Sequence, residues 1–418
     1  MTSARRLRPL LALLLCIFLL TPHVAAYSVL THEAIVDIAW EKQIRPLILE
    51  RFPNTTPEQL QEAHAYAYGG AVIQDLGYYP FGNKFFSDLV HYVRSGDFVS
   101  QLIADAQDPN EFAFALGALA HYASDVCGHP AVNRSVAIEF PKLERKYGRF
   151  VTYEEDKAAH LHTEFGFDVV QVAKQRFTFD QYHSFIGFQV AKPLLERAFE
   201  ETYGIKLSQV ISKEDLALGT FRWSISSVIP EMTKVALATR NKQDLHLAER
   251  DTAARRKFLY HISRADYEKE FGTKYQRPGP GARFLAFLFR LIPKVGPLSA
   301  LRYKDPTPQT EDLYLKSVDA TTDTYAKELH ELAENHAQTL KLENRDFDTG
   351  KPTIPGEYRL TDETHAKLAL KVMKDNPQDA ALKGYLREFF AKAQASHPKN
   401  ESKDFWKAAT EYQQYSAP

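Results

Sequence analysis

Apolar residues recur at intervals of three and four along nearly the whole chain of 418 residues, and this is the period of an amphipathic α-helix. Residues 32–50, HEAIVDIAWEKQIRPLILE, are a clear example. We find no stretch with the alternation of apolar and polar residues that marks a half-buried strand. Since 44 % of the residues are hydrophobic, the chain can also bury a sizeable core. The sequence therefore predicts an all-α, multi-helix protein.

Residues 1–26 have the layout of a secretory signal peptide. Three arginines stand before an apolar run at residues 9–20, and a Val-Ala-Ala triplet that ends at Ala26 supplies small residues for cleavage. The apolar run is too short to span a bilayer comfortably. We therefore predict a secreted or periplasmic protein whose mature chain begins at Tyr27.

Cysteine usage and charge limit the classes of function. The predicted mature chain keeps only Cys127, so it has no intrachain disulfide, and packing or metal must stabilise it. The full chain has a formal net charge of −1, and removal of the arginine-containing leader makes it more negative. This balance argues against the basic footprint of a nucleic-acid-binding protein, and no specific nucleic-acid partner is expected.

A turn-rich segment at residues 276–281, QRPGPG, is the clearest break in the chain. It predicts a domain over residues 27–275 and a helical C-terminal extension over residues 276–418. The apolar cluster that follows it, residues 284–292, is too short to cross a membrane, so it is either buried between lobes or in contact with a lipid surface. Individual helices are predicted over residues 109–126, 311–342 and 361–395, and loops over 69–86 and 130–152.

The segment ALAHYASDVCGHPAV, residues 118–132, places His121, Asp125 and His129 at four-residue intervals. Residues four apart lie one above the other on a helix and can share a metal ion. The surrounding residues are small and apolar, and an unpaired carboxylate would be costly to bury among them. Either a metal site or a buried His–Asp hydrogen bond satisfies this requirement. Pro130 and the glycine before His129 indicate that the helix ends there.

Three further histidines have a carboxylate four residues later, so the spacing alone does not identify a site. Two of the pairs stand in charged contexts that are typical of a solvated surface. The pairs are His160/Glu164, within AAHLHTEFGFDV, and the predicted surface pairs His330/Glu334 and His397/Glu401.

The predicted mature N-terminus offers another possible ligand. An α-amino group, with a pKa of about 8, can lose its proton and bind zinc, and the carbonyl of the same residue can close a chelate. His32 follows Tyr27 by five residues and would add a third donor. The alternative is an exposed terminus followed by an ordinary histidine.

The order of these motifs resembles that of the zinc-dependent phospholipase C and P1-type nuclease superfamily: an N-terminal residue then His, Asp then His, His-x3-Asp then His, and His-x3-Glu. The resemblance implies an α-helical fold with three zinc ions. It implies a first zinc bound by Asp75, His91, His121 and Asp125, a second bound by the Tyr27 amino nitrogen and carbonyl oxygen, His32 and the bridging Asp125, and a third bound by His129, His160 and Glu164. Asp88, three residues before His91, competes with Asp75 for its role.

Three details look like the catalytic domain of glycosylphosphatidylinositol-specific phospholipase D. His129 comes only four residues after Asp125, the phrase H-x-x-x-E-F-G-x-D-V spans residues 160–169, and the predicted mature chain starts with an S-x-x-T-H motif. The first mature residue is Tyr27, where the phospholipases C and nucleases have tryptophan.

The resemblance implies cleavage of a phosphodiester, with Asp75 orienting or deprotonating the attacking water. A phospholipid or membrane surface, bound peripherally, is the expected partner because a basic face is lacking. The aromatic loop at residues 78–81 could hold a choline-like group by cation–π contact, or could simply be core. The alternatives are a single-strand-specific P1-type nuclease and a zinc-stabilised, non-catalytic helical binding protein. The bond cleaved, the headgroup and the oligomeric state are left open.

Overall fold

The computed structural model describes residues 29–173, 186–229, 304–396, 398 and 402–416. These residues are mainly helical, with one isolated bridge between Arg345 and Pro352 and no strand, and the predicted all-α class is confirmed. The helices are α1 Val29–Ala39, α2 Arg45–Arg51, α3 Pro57–Gly70, α4 Lys84–Tyr92, α5 Ser95–Asp105, α6 Pro109–Glu139, α7 Pro141–Tyr147, α8 Lys157–Ala173, α9 Lys192–Tyr203, α10 Glu214–Trp223, α11 Pro308–Glu334, α12 Arg359–Asp375, α13 Ala380–Ser396 and α14 Lys403–Tyr415. Short helical turns lie between several of them, including a 3-10 helix at Ile73–Tyr78 and π-helical turns at Trp40–Ile44 and Ser224–Val228.

The long helix α6 is the centre of the fold. It begins as its sequence predicts, with the Asp108 side chain accepting a hydrogen bond from the Glu111 amide and proline at the first helical position. The predicted end is wrong, because α6 continues through Pro130 to Glu139. Burial of apolar side chains such as Val132 and Val136 after the proline outweighs the loss of one backbone hydrogen bond. His129 consequently lies within the same helix as His121 and Asp125.

Helices α3 and α6 pack against each other with their backbones close together at two glycines. A Cβ added to Gly70 would lie 1.9 Å from the Phe114 carbonyl oxygen, and one added to Gly117 would lie 2.0 Å from the Ala67 oxygen. Only glycine permits this approach of two backbones. The contact also brings the end of α3, and the Ile73–Tyr78 turn after it, next to His121.

Helix α11 also packs on α6, where the Tyr325 hydroxyl donates a hydrogen bond to the Leu116 carbonyl. Residues 343–358, which we name the return loop, then lead back across α4 and α6 before α12 begins. The return loop is tied to the start of α5 by hydrogen bonds between Ser95 and the backbone of Arg345. The described part of the predicted C-terminal extension thus packs directly on the helices that carry the candidate ligands.

Several predicted boundaries differ from the structure. The predicted helix 311–342 is α11 and ends at Glu334, and the predicted helix 361–395 is two helices, because Asn376 takes a left-handed conformation that ends α12. The predicted loop 130–152 is largely helical and the predicted loop 69–86 contains a 3-10 helix. Among the residues described, no helix is long and apolar enough to cross a membrane. The leader 1–26, Tyr27, the break at 276–281, the cluster 284–292 and the domain boundary after residue 275 lie outside the described residues.

Candidate metal centre

Four helices and one turn bring the described members of the predicted ligand set to one place. None of their side chains is more than 2 % exposed, although all of them are polar. They are His32 on α1, Asp75 on the Ile73–Tyr78 turn, His91 on α4, His121, Asp125 and His129 on α6, and His160 and Glu164 on α8.

Asp125 lies at the centre of this group. Its Oδ2 atom is 3.0 Å from His121 Nε2 and 3.5 Å from His91 Nε2. Its Oδ1 atom is 3.5 Å from His32 Nε2 and 3.7 Å from His129 Nε2. Each carboxylate oxygen therefore faces two histidines.

Two sets of ligand atoms are close enough to hold a metal ion each. One set is His32, His121 and Asp125, and the other is Asp75, His91 and His121. A further group lies beside them, where Glu164 Oε1 is 3.1 Å from His160 Nδ1 and 3.8 Å from His129 Nε2.

The two sequence candidates around His91 lie in different surroundings. Asp75 Oδ1 is 3.5 Å from His91 Nε2, whereas the Asp88 carboxylate forms an ion pair with Lys84. Asp75 therefore faces the histidine cluster.

The outer hydrogen bonds of the histidines show that the cluster fits a cation. The Nδ1 atom of His91 is 2.7 Å from the Ser87 carbonyl oxygen, and that of His121 is 2.9 Å from the Ala71 oxygen. Because a carbonyl only accepts hydrogen bonds, these ring nitrogens must be the donors. When the rings are neutral, their Nε2 lone pairs point at carboxylates. Neither Nε2 atom forms a hydrogen bond, and neither does either oxygen of Asp125.

The same pattern holds for His129, His160 and Glu164, which we name the Glu164 group. His129 Nδ1 donates to Asp348, and His160 Nε2 donates to the Asn133 side-chain oxygen. The inner ring nitrogens, His129 Nε2 and His160 Nδ1, form no hydrogen bond, and nor do the two oxygens of Glu164. Unpaired polar atoms such as these are costly to bury. Histidine nitrogens and carboxylate oxygens are also ligand atoms that zinc prefers.

The electrostatics of the cluster also favour a cation. Burial lowers the pKa of His91, but the Asp125 and Asp75 carboxylates outweigh it and raise the pKa to about 10. Burial likewise lowers the pKa of His129, and Asp125 with Asp348 raises it to about 9. Burial raises the pKa of Asp125, yet the surrounding histidines hold it well below its usual value. The carboxylates thus attract positive charge, as protons or as metal.

Comparison with known proteins agrees with this geometry. Residues 31–213 match the family model described as zinc dependent phospholipase C. The chain carries a zinc-dependent phospholipase C domain. The match includes all eight described candidate ligands but neither Tyr27 nor the return loop. No curated protein and no solved structure matches the chain.

The match supports a phospholipid-hydrolysing zinc enzyme, and the described residues have the all-α fold. Its zinc dependence agrees with the clustered His and Asp side chains.

The aromatic loop of the phospholipase C domain is divided between core and surface. Tyr78 is buried with its ring centroid 6.1 Å from that of His91, and Tyr79 packs edge-on against Phe221. Phe81, in contrast, is 41 % exposed. Tyr78 therefore lies beside the cluster, and Phe81 faces solvent.

Other residues singled out in the sequence lie elsewhere in the domain. His330 and Glu334 form an exposed pair, as predicted, whereas His397 and Glu401 lie outside the described residues. Half-buried Cys127 contacts Thr324. His162 lines a separate surface hollow beside α7.

Sequence reasoning missed the residues that support the cluster. Asp168 accepts hydrogen bonds from the Leu30 amide and the Thr31 hydroxyl and so fixes the start of α1. Phe347 of the return loop packs its ring 5.1 Å from that of His91. Asp168 stands in the quoted motif at residues 160–169, but Phe347 and Asp348 have no local signature.

Proposed function

We propose that the protein is a secreted or periplasmic hydrolase that holds three zinc ions and cleaves a phosphodiester bond of phospholipids, as a phospholipase of the C or D type. The observation that carries the proposal is the position of Asp125, whose two oxygens face histidines from three helices. The proposed ligands are Asp75, His91, His121 and Asp125 for the first zinc, Tyr27, His32 and Asp125 for the second, and His129, His160 and Glu164 for the third.

Zinc bound in such a centre lowers the pKa of a bound water towards neutrality and neutralises charge that develops on phosphorus. Side chains of this protein would orient the attacking water and accept its proton. Asp75 is the proposed base, because its Oδ1 atom faces the cluster and forms no hydrogen bond. Burial raises the pKa of Asp75, which favours its acting as a proton acceptor. One Asp75 oxygen would bind the zinc, and the other would accept the proton of the attacking water.

The anchoring of α1 supports Tyr27 as a ligand. Asp168 holds the amide of Leu30 and the hydroxyl of Thr31, and this hydroxyl also lies 2.9 Å from the Tyr314 hydroxyl. His32, one residue further on, reaches Asp125. A chain start only five residues before His32 would therefore begin close to the centre.

A phospholipid is favoured over a nucleic acid because the chain lacks excess positive charge. The exposed ring of Phe81, three residues after Tyr78, is suited to contact with a lipid surface. The three details shared with glycosylphosphatidylinositol-specific phospholipase D make a glycosylphosphatidylinositol anchor the first alternative lipid to test.

The test offers three substrates to the purified mature protein: phosphatidylcholine vesicles, a glycosylphosphatidylinositol-anchored protein and single-stranded DNA. We expect hydrolysis of a lipid substrate that stops on chelation and returns with zinc. Diacylglycerol as a product identifies C-type cleavage, and phosphatidic acid identifies D-type cleavage. Cleavage of DNA alone would overturn the proposal in favour of a nuclease. Bound zinc without hydrolysis of any substrate would favour a non-catalytic binding protein.

A further inference from the structure

Asp348 of the return loop lies against the candidate metal centre from outside the family match. Its Oδ1 atom is 3.0 Å from His129 Nδ1, and the two residues are 219 positions apart in the sequence. Asp348 is only 2 % exposed. A buried carboxylate that accepts the outer N–H of a ligand histidine fixes both the tautomer and the direction of the ring.

Asp348 is itself held in a defined position. Its Oδ2 atom accepts hydrogen bonds from the Tyr92 hydroxyl at 3.0 Å and the Tyr358 hydroxyl at 2.5 Å. Tyr92 belongs to α4, next to His91, and Tyr358 closes the return loop. One carboxylate oxygen is thus occupied by two tyrosines, which leaves the other for His129.

The return loop is seated on α6 as well. The Asn133 side-chain amide donates to the Asp348 carbonyl at 2.7 Å, while its oxygen accepts from His160 at 3.0 Å. Gly350 has a φ of +69°, and a Cβ there would lie 2.3 Å from the Val126 oxygen on α6. Asn133 therefore connects the loop backbone to His160, and the loop reaches both histidines of the Glu164 group.

We propose that Asp348 is a positioning residue of the metal centre, which holds His129 in the tautomer that presents Nε2 to the third zinc. Asn133, fixed by the same loop, holds His160 in the opposite tautomer, in which Nε2 donates to Asn133 and Nδ1 faces Glu164 and the third zinc. The chain beyond the matched domain thereby completes the metal centre. This inference rests on the proposed zinc centre but not on the identity of the substrate.

The test measures zinc affinity directly, by competition of the purified full-length mature protein with a chromogenic chelator. Asp348→Asn should weaken one zinc of the three by about 10–100-fold, the usual effect of removing an outer partner of a ligand histidine. Asp346→Asn is the matched control, because Asp346 is buried in the same loop and its oxygens contact no candidate ligand. Burial, together with the neighbouring Asp348 carboxylate, raises the pKa of Asp346 to about 8, so the amide closely mimics its protonated form. Zinc affinity should be unchanged in this control.

Tyr358→Phe provides a second, milder variant, because it removes one of the two hydroxyls that hold Asp348 but keeps the Asp348 carboxylate. It should shift the same zinc in the same direction by a smaller factor, with unaltered far-ultraviolet circular dichroism. Wild-type affinity in both Asp348→Asn and Tyr358→Phe would overturn the inference while leaving the zinc centre intact. Equal weakening by Asp346→Asn would overturn it too, since loop packing would then be responsible. A wild-type protein that binds no zinc would overturn the proposed function together with the inference.

Discussion

The Nε2 atom of His91 lies 3.5 Å from Oδ2 of Asp125, and neither atom forms a hydrogen bond. The two residues belong to different helices, and both are buried. Because the outer nitrogen of the histidine already donates to Ser87, these two buried atoms are satisfied either by a proton on Nε2 or by a bound metal ion.

Replacement of Asp125 should therefore disable the centre. We expect Asp125→Asn to lower hydrolysis by more than about 100-fold, because loss of a shared ligand exceeds the 10–100-fold effect of losing an outer partner. It should also lower the zinc content. Glu334→Gln is the matched control, since Glu334 follows a histidine at the same spacing but is exposed. Metal analysis and activity assays on the two variants check this, and an active Asp125→Asn enzyme with full zinc would refute it.

Asp75 and Asp88 offer a direct comparison of two neighbouring buried carboxylates. Asp75→Asn should abolish most activity, because the amide cannot accept a proton from water. Asp88→Asn should retain most of it, since Asp88 is paired with Lys84. Steady-state kinetics at saturating zinc distinguish the two variants, and the opposite ranking would assign the role to Asp88.

The raised pKa values of His91 and His129 predict how pH acts on the zinc-free protein. Both values, about 10 and about 9, exceed the unfolded value of about 6.5. Their protonation therefore contributes stability that is fully present below pH 6.5 and is lost as the pH rises through 9 to 10. Zinc displaces these protons, so the stability of the zinc-loaded protein should not fall in this way as the pH rises.

Thermal unfolding between pH 6 and 10.5, with chelator or with zinc, measures the difference. A zinc-free protein whose melting temperature follows that of the loaded protein across this range would contradict the prediction. Calorimetric zinc titration in two buffers of different ionisation enthalpy should also detect proton release.

Gly350 should be indispensable to the seating of the return loop. Gly350→Ala forces a side chain into a left-handed conformation, which costs about 1–2 kcal/mol, and places its Cβ against the backbone of α6. Gly384→Ala is the control, because Gly384 lies within α13 with open space around its Cβ position, and alanine there should stabilise the helix by about 0.5–1 kcal/mol. Chemical unfolding of the zinc-loaded proteins gives both values. Equal stability of the two variants would show that the return loop tolerates the change.

The sequence alone predicted the helical class, and its resemblance to a known family suggested the eight described candidate ligands that lie together in the structure. The period of apolar residues reports on helices directly, and the apolar context of His121 separated its pair from the exposed His330 pair. The end of α6 was mispredicted because local proline and glycine signals compete with burial of the residues beyond them, which depends on the tertiary fold. The role of Asp348 could not be predicted for a different reason. Its partner, His129, is 219 residues away, and the segment around Asp348 follows no periodic pattern.

The most direct test of the zinc centre is a crystal structure of the mature protein with an anomalous difference map at the zinc absorption edge. We expect three peaks. Two should adjoin the Asp125 carboxylate, one near Asp75 and His91 and one near His32, and the third should lie near Glu164. A zinc-supplemented crystal with no peak next to Asp125 would contradict this prediction.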